Sequence, residues 1–153
     1  MRNNVEVQIV SDLDSIPEPL KLVYWAERVL AGRIEHVEMA IRVVDLKESA
    51  DLNERFRKKP GPTNVLSFSC EPIEGIPINL LGDLVICAPV VECEANEQNK
   101  TIEAHWAHMI VHGALHLLGY DHVDAVQTIK MEAEEKKLLN LFGFANPYQE
   151  VVS

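Results

Sequence analysis

Val5, Val7 and Ile9 alternate with Glu6 and Gln8, the period of a half-buried strand. Val37, Met39, Ile41 and Val43 repeat that alternation and predict a second strand. Between them Leu20, Val23, Tyr24 and Leu30 recur at helical spacing, and Gly32 is a natural stop. Ser15 followed by Glu18 resembles a capping box for this helix, with Pro17 tolerated in its first turn. Residues 46–56 predict a short helix that ends in a basic run, and Pro60-Gly61-Pro62 forces a loop after it. Asn64 to Ser69 reads as a strand, and Pro72, Gly75 and Pro77 mark a connection. Leu80 to Cys87 is the mostly apolar run of a strand buried on both faces. Helices follow from about Pro89 to Gln98, from about Thr101 to Leu118 with a stop at Gly119, and from about Asp124 to Phe142. The last carries Met131, Leu138 and Phe142 on one side and Gly143 as its cap. This order predicts an α+β fold: one domain over residues 1–153, with a mixed four-stranded sheet packed with four to six helices. The two C-terminal helices are expected against the sheet.

Composition narrows the class. The chain has 153 residues, enough for one ordinary domain. Hydrophobic residues at 47% and charged residues at 25% exclude disordered, collagen-like and coiled-coil proteins. No apolar run approaches the roughly 20 residues that cross a bilayer. Nor does an apolar stretch follow Arg2, so neither a membrane partner nor a secretory leader is expected. Cys70, Cys87 and Cys93 form no Cys-x-x-Cys pair, and so sparse a set suits a reducing cytoplasm. The net charge of −10 is unsuited to coating duplex DNA. Any nucleic-acid contact must be local.

The segment His112-Gly113-Ala114-Leu115-His116-Leu117-Leu118-Gly119-Tyr120-Asp121-His122 carries the chemistry. Residues four apart share one helical face, about 6 Å apart along the axis, so His112 and His116 can hold one ion. A turn at Gly119 would return His122 to the same ion. Three imidazoles leave a fourth position for water on a tetrahedral zinc, the arrangement of a catalytic site. Imidazole also suits nickel and copper. The spacing matches the zincin peptidase signature His-Glu-x-x-His-x-x-Gly-x-x-His except at the general base, which is Gly113 here. Glycine accepts no proton, which argues against peptidase activity, although an ion could still lower the pKa of bound water.

Other candidates have plainer readings. His108 lies one turn before His112 and is expected to pack or hydrogen bond; contact with substrate or competition for the ion are the alternatives. His105 is about 10 Å up the helix and too far to share the ion. His36 reads as structural, and Asp121 either orients an imidazole or helps the turn. Arg55, Arg57, Lys58 and Lys59 form the one concentrated basic patch. It is either a phosphate-binding cluster or a solvated helix end, where cations are favoured anyway.

With these motifs the chain resembles the YbeY endoribonucleases, bacterial ribosomal-RNA maturation factors. The likeness rests on the run from His112 to His122 with its non-acidic second position. It also rests on Leu52-Asn53, Phe56-Arg57, Pro62-Thr63-Asn64-Val65-Leu66-Ser67-Phe68, Leu81-Gly82-Asp83-Leu84, and Met131 with Glu135. Asn64, where Asp is more usual, and Ser69-Cys70, where Pro is common, depart from the pattern. The resemblance implies a zincin-like fold and a metal-dependent endoribonuclease specific for single strands. It implies action on the 3′ end of the small-subunit ribosomal RNA precursor, in ribosome quality control, with the small ribosomal subunit as partner. It carries over His112, His116 and His122 as ligands of one Zn2+ per chain. Arg57, His112 and His116 would be catalytic, Arg57 facing the phosphate. The attacking group, water or a 2′-hydroxyl, and the general base stay open. The rival classes are a metallopeptidase and a non-catalytic ribosome-associated factor with a structural metal.

Overall fold

The computed structural model describes residues 3–70, 79–121 and 123–148. The connection carrying Pro72, Gly75 and Pro77, and His122 itself, lie outside the described residues. Strand β1 (Asn4–Ile9) runs parallel to β2 (Val37–Val44), with Val5 opposite Met39 and Ile9 opposite Val43. A parallel pair needs a crossover, and helix α1 (Pro19–Leu30) supplies it. Helix α2 (Leu46–Arg57) leads to strand β3 (Val65–Ser69). Strand β4 (Asn79–Cys87) lies parallel to β2 and antiparallel to β3, giving the order β1-β2-β4-β3. The mixed four-stranded sheet is the one expected. Helices α3 (Ala88–Glu97), α4 (Ile102–Leu117) and α5 (Ala125–Leu141) complete the described elements.

Val37, Met39, Ile41 and Val43 are buried, and the intervening residues of β2 are half-buried. They enter one large core with Leu84 and Ile86 of β4, Trp25 and Val29 of α1, and Trp106 and Ile110 of α4. Val44, Leu66 and Val85 form a smaller cluster on the opposite face, with Leu52 of α2 packed on it. The fully apolar end of β4 follows from this, because it has protein on both sides. Helix α5 packs on α4, one layer out from the sheet. Of the two C-terminal helices, α4 is therefore the one that lies on β3 and β4.

The expected capping box does not form. Helix α1 begins at Pro19, and Glu18, at φ −58° and ψ 143°, is its N-cap without a side-chain hydrogen bond. A residue before proline is driven from the helical region, so the helix cannot start upstream of Pro19. Ser15 Oγ is left buried without a hydrogen-bond partner among the described residues. Thr101 and Asp124 do cap their helices, accepting from Ala104 N and Gln127 N.

Gly113 lies where α4 packs closely on the sheet. A Cβ there would lie 2.8 Å from Leu84 Cδ2 and 3.2 Å from Val65 Cγ2. In an open helix, glycine to alanine gains about 1 kcal/mol. Here Gly113→Ala is expected to show none of that gain in urea unfolding, because overpacking costs about 1–3 kcal/mol. Gly113→Glu should lose at least about 2 kcal/mol, since it also buries a carboxylate against Leu84 and Val65.

Candidate metal and phosphate site

Helix α4 presents His105, His108, His112 and His116 along one side, and the rings of His112 and His116 are 4.9 Å apart between centroids. Both line a cleft of about 770 Å³. Its opposite wall is made by Phe56 and Arg57 at the end of α2 and by residues 63–69 of β3 and its approach. The structure thus brings Arg57 and the two helical histidines together, although Arg57 and His112 stand 55 positions apart in sequence.

Two side chains of α2 fix that wall. Ser49 Oγ donates to Thr63 O and accepts from Thr63 N, both at 3.0 Å, and Asn53 Nδ2 donates to Gly61 O at 2.9 Å. Lys58, at φ 59°, turns the chain out of the helix immediately after Arg57. The basic run is therefore the C-terminal end of α2, and Arg57 in it lines the cleft.

Beyond α4, Tyr120 N donates to Leu115 O and Gly119 N to His116 O, at 3.1 and 3.0 Å. This is the pairing of a helix closed by a left-handed glycine, and Gly119 has φ 103°. The turn sends the chain back so that Asp121 lines the same cleft. His122 follows it in sequence, outside the described residues.

Behind the cleft stands Glu135 of α5, fully buried. His112 Nδ1 donates to Glu135 Oε1 at 2.5 Å, and the Tyr148 hydroxyl donates to Oε2. His108 Nε2 donates to the Tyr148 oxygen at 3.3 Å. Burial alone would raise the Glu135 pKa, but the hydrogen bonds from His112 and Tyr148, with His108 Nε2 nearby at 3.7 Å, outweigh it and hold the carboxyl at about 2. An ionised carboxylate only accepts. The proton shared in this hydrogen bond therefore belongs to His112 Nδ1, which leaves Nε2 as the ring nitrogen turned away from Glu135. Burial lowers the pKa of His108 and so disfavours its charged form.

A ligand atom of each of His108, His112 and Glu135 lies within 4.8 Å of the other two, so this group could hold a metal ion. Its compactness also follows from the hydrogen bonds just described. His105 does not take part: it is buried and meets Glu94 Oε1 at 2.9 Å. Asn64 Nδ2 donates to the same carboxylate at 3.1 and 3.3 Å. The amide at position 64 is thus explained locally, since an Asp would set two carboxylates face to face. His36 is exposed in the left-handed region at φ 63°.

The sequence reading assigned imidazole orientation to Asp121 as one option. For His112 that partner is Glu135, 23 residues away. Tyr148 was missed altogether. The available signal was Glu135 four residues after Met131, which puts a carboxylate on the inward face of α5.

A family model for Endoribonuclease YbeY matches residues 12–143. Endoribonuclease YbeY of Methylococcus capsulatus is 53% identical over 137 residues, covering 90% of this chain and 90% of that protein. The solution structure of TM1509 from Thermotoga maritima superposes with a TM-score of 0.57. It covers 97% of this chain and 99% of that one at 23% identity, a likeness of fold alone. With its family motifs distributed over α2, β3, β4, α4 and α5 and half its residues shared with a curated relative, the chain belongs to the YbeY endoribonuclease family.

Proposed function

We propose that the protein is a zinc-dependent endoribonuclease that cuts single-stranded RNA. Its substrate is the small-subunit ribosomal RNA precursor at its 3′ end, on or near the small ribosomal subunit in the cytoplasm, in maturation and quality control. The observation that supports this most is the shared cleft of Arg57, His112 and His116 in a chain of this family. No helix among the described residues is long and apolar enough to cross a membrane.

In this reading His112, His116 and His122 hold the ion, and His112 binds through Nε2 because Glu135 occupies Nδ1. Held there, a zinc ion would supply Lewis acidity toward a phosphodiester oxygen or a water. Arg57 neutralises charge that develops on the phosphate, in a geometry fixed beforehand by α2 and β3. Glu135 keeps the His112 ring from rotating, and Tyr148 and His108 keep Glu135 in place.

Labelled single-stranded RNA and casein, each with and without chelator, form the test. Chelator-sensitive RNA cleavage with intact casein is the expected result. Chelator-sensitive casein cleavage with intact RNA would make the protein a peptidase. Intact RNA and casein with bound metal would leave a non-catalytic factor. In cells lacking the protein, the small-subunit ribosomal RNA should accumulate with an unprocessed 3′ end.

Tyr148→Phe removes one hydroxyl and keeps the ring. Outer partners of metal-binding histidines contribute about 10–100-fold to affinity. A loss of about tenfold in zinc affinity is expected, read by competition with a chromophoric chelator, with a larger loss for Glu135→Gln.

A further inference from the structure

The Phe56–Phe68 pair stands between two hollows. One is the cleft of Arg57, His112 and His116. The other is a groove of about 400 Å³ on the sheet face opposite α4, lined by Leu52, Val85, Arg42 and Asp83 among others. Phe56 and Phe68 line both. Their rings meet edge to face, 5.2 Å between centroids and 74° between planes. Phe56 packs on Phe68 in this way and still remains 57% exposed.

The charges of the two hollows differ. Arg57 lines the cleft, and Lys58 and Lys59 follow it in sequence. In the groove, Arg42 is already engaged: Glu48 takes it at 2.5 and 2.9 Å and Gln8 at 2.6 Å. Asp83 adds a further carboxylate. A phosphate placed there would meet Glu48 and Asp83, whereas a flat neutral group would meet aromatic and aliphatic carbon. A single RNA strand offers this alternation, anionic phosphates joined to neutral bases whose faces stack on aromatic side chains.

We propose that the groove is a nucleobase slot, in which an unpaired base beside the phosphate at Arg57 stacks on Phe56. The proposal rests on the RNA-cleaving reading and adds to it a reason for single-strand preference. Bases in a duplex have both faces covered by their neighbours and cannot enter. Every base has such a face, so the slot discriminates paired from unpaired more than one base from another.

The test uses the full chain with zinc content measured for each variant. Binding of a labelled 2′-O-methyl RNA single strand is followed by anisotropy. Phe56→Leu keeps apolar packing on Phe68 but removes the flat face, and should weaken binding by about fivefold or more. Phe56→Tyr should bind like wild type. Trp25 and Trp106 are buried, at 4% and 0% exposure, so Phe56→Trp adds an exposed indole whose fluorescence should fall when the strand binds. Unchanged affinity in Phe56→Leu, or an unquenched indole in Phe56→Trp, overturns the slot and leaves RNA cleavage standing. A wild-type protein that neither binds nor cuts single-stranded RNA overturns both.

Discussion

Arg57→Glu is expected to lose RNA cleavage by a factor of at least about 10²–10³, with zinc content and fold retained. Its position and its exposure lead to this expectation. Arg57 lines the cleft opposite His112 and His116. It is exposed at the last position of α2, where few packing contacts depend on it. An exposed substitution usually shifts stability by no more than about 0.5 kcal/mol. Glutamate at a helix C-terminus adds a dipole penalty of about 0.3–1 kcal/mol, too little to unfold a domain. Arg57→Lys should recover part of the rate, because an ammonium is a point charge and cannot grip two phosphate oxygens as a guanidinium does. Lys58→Ala and Lys59→Ala should be milder and more sensitive to salt, as solvated phosphate contacts are screened. All rates are compared at fixed ionic strength and equal zinc content. A zinc-replete Arg57→Glu protein that cuts at the wild-type rate would remove Arg57 from the mechanism.

His116→Ala should lose both the ion and the cleavage. The wild-type protein is expected to hold about one ion per chain, and removal of one imidazole from a three-histidine set leaves two ligands. Alanine is the best helix former, so far-UV circular dichroism should change little. The comparison with His108→Ala decides which cluster carries the metal. His108 belongs to the compact group with His112 and Glu135, while His116 borders the cleft. Zinc measured by plasma emission after dialysis should fall in His116→Ala and persist in His108→Ala. The reverse pattern would move the ion behind the cleft, to His108, His112 and Glu135.

Local periodicity carried most of the fold. The alternation in β1 and β2 and the helical spacing in α1, α2 and α4 depend only on near neighbours; the bounds of β1, β2, α2 and α4 agree with the sequence reading within a residue or two, whereas α1 begins about three residues later than its expected cap allowed. The errors came where two local signals competed. Ser15 and Glu18 have the spacing of a cap, but Pro19 fixes the backbone of Glu18 more strongly than a side-chain hydrogen bond would. The site divided the same way. His112 and His116 could be paired from helix geometry alone. The joining of Arg57 to them, and of Glu135 and Tyr148 to His112, depends on how α2, α4 and α5 pack. No spacing within one element encodes that. The antiparallel placement of β3 beside β4 is what sets the Arg57 wall against the histidines.

The contact of Gly113 with Leu84 and Val65 also bears on which descendants of this sequence are accessible. A single change at position 113 reaches the acidic residue of the zincin signature, yet that change strikes two branched side chains already in contact. Leu84 is wholly buried and Val65 packs against the core. Shrinking either one first, to make room, opens a cavity that costs about 1–5 kcal/mol before any benefit appears. Positions 65, 84 and 113 are therefore coupled, and their effects will not add. A lineage that drifts by single neutral steps is kept from glutamate here by the sheet beneath the helix, whatever chemistry selection favours in the cleft.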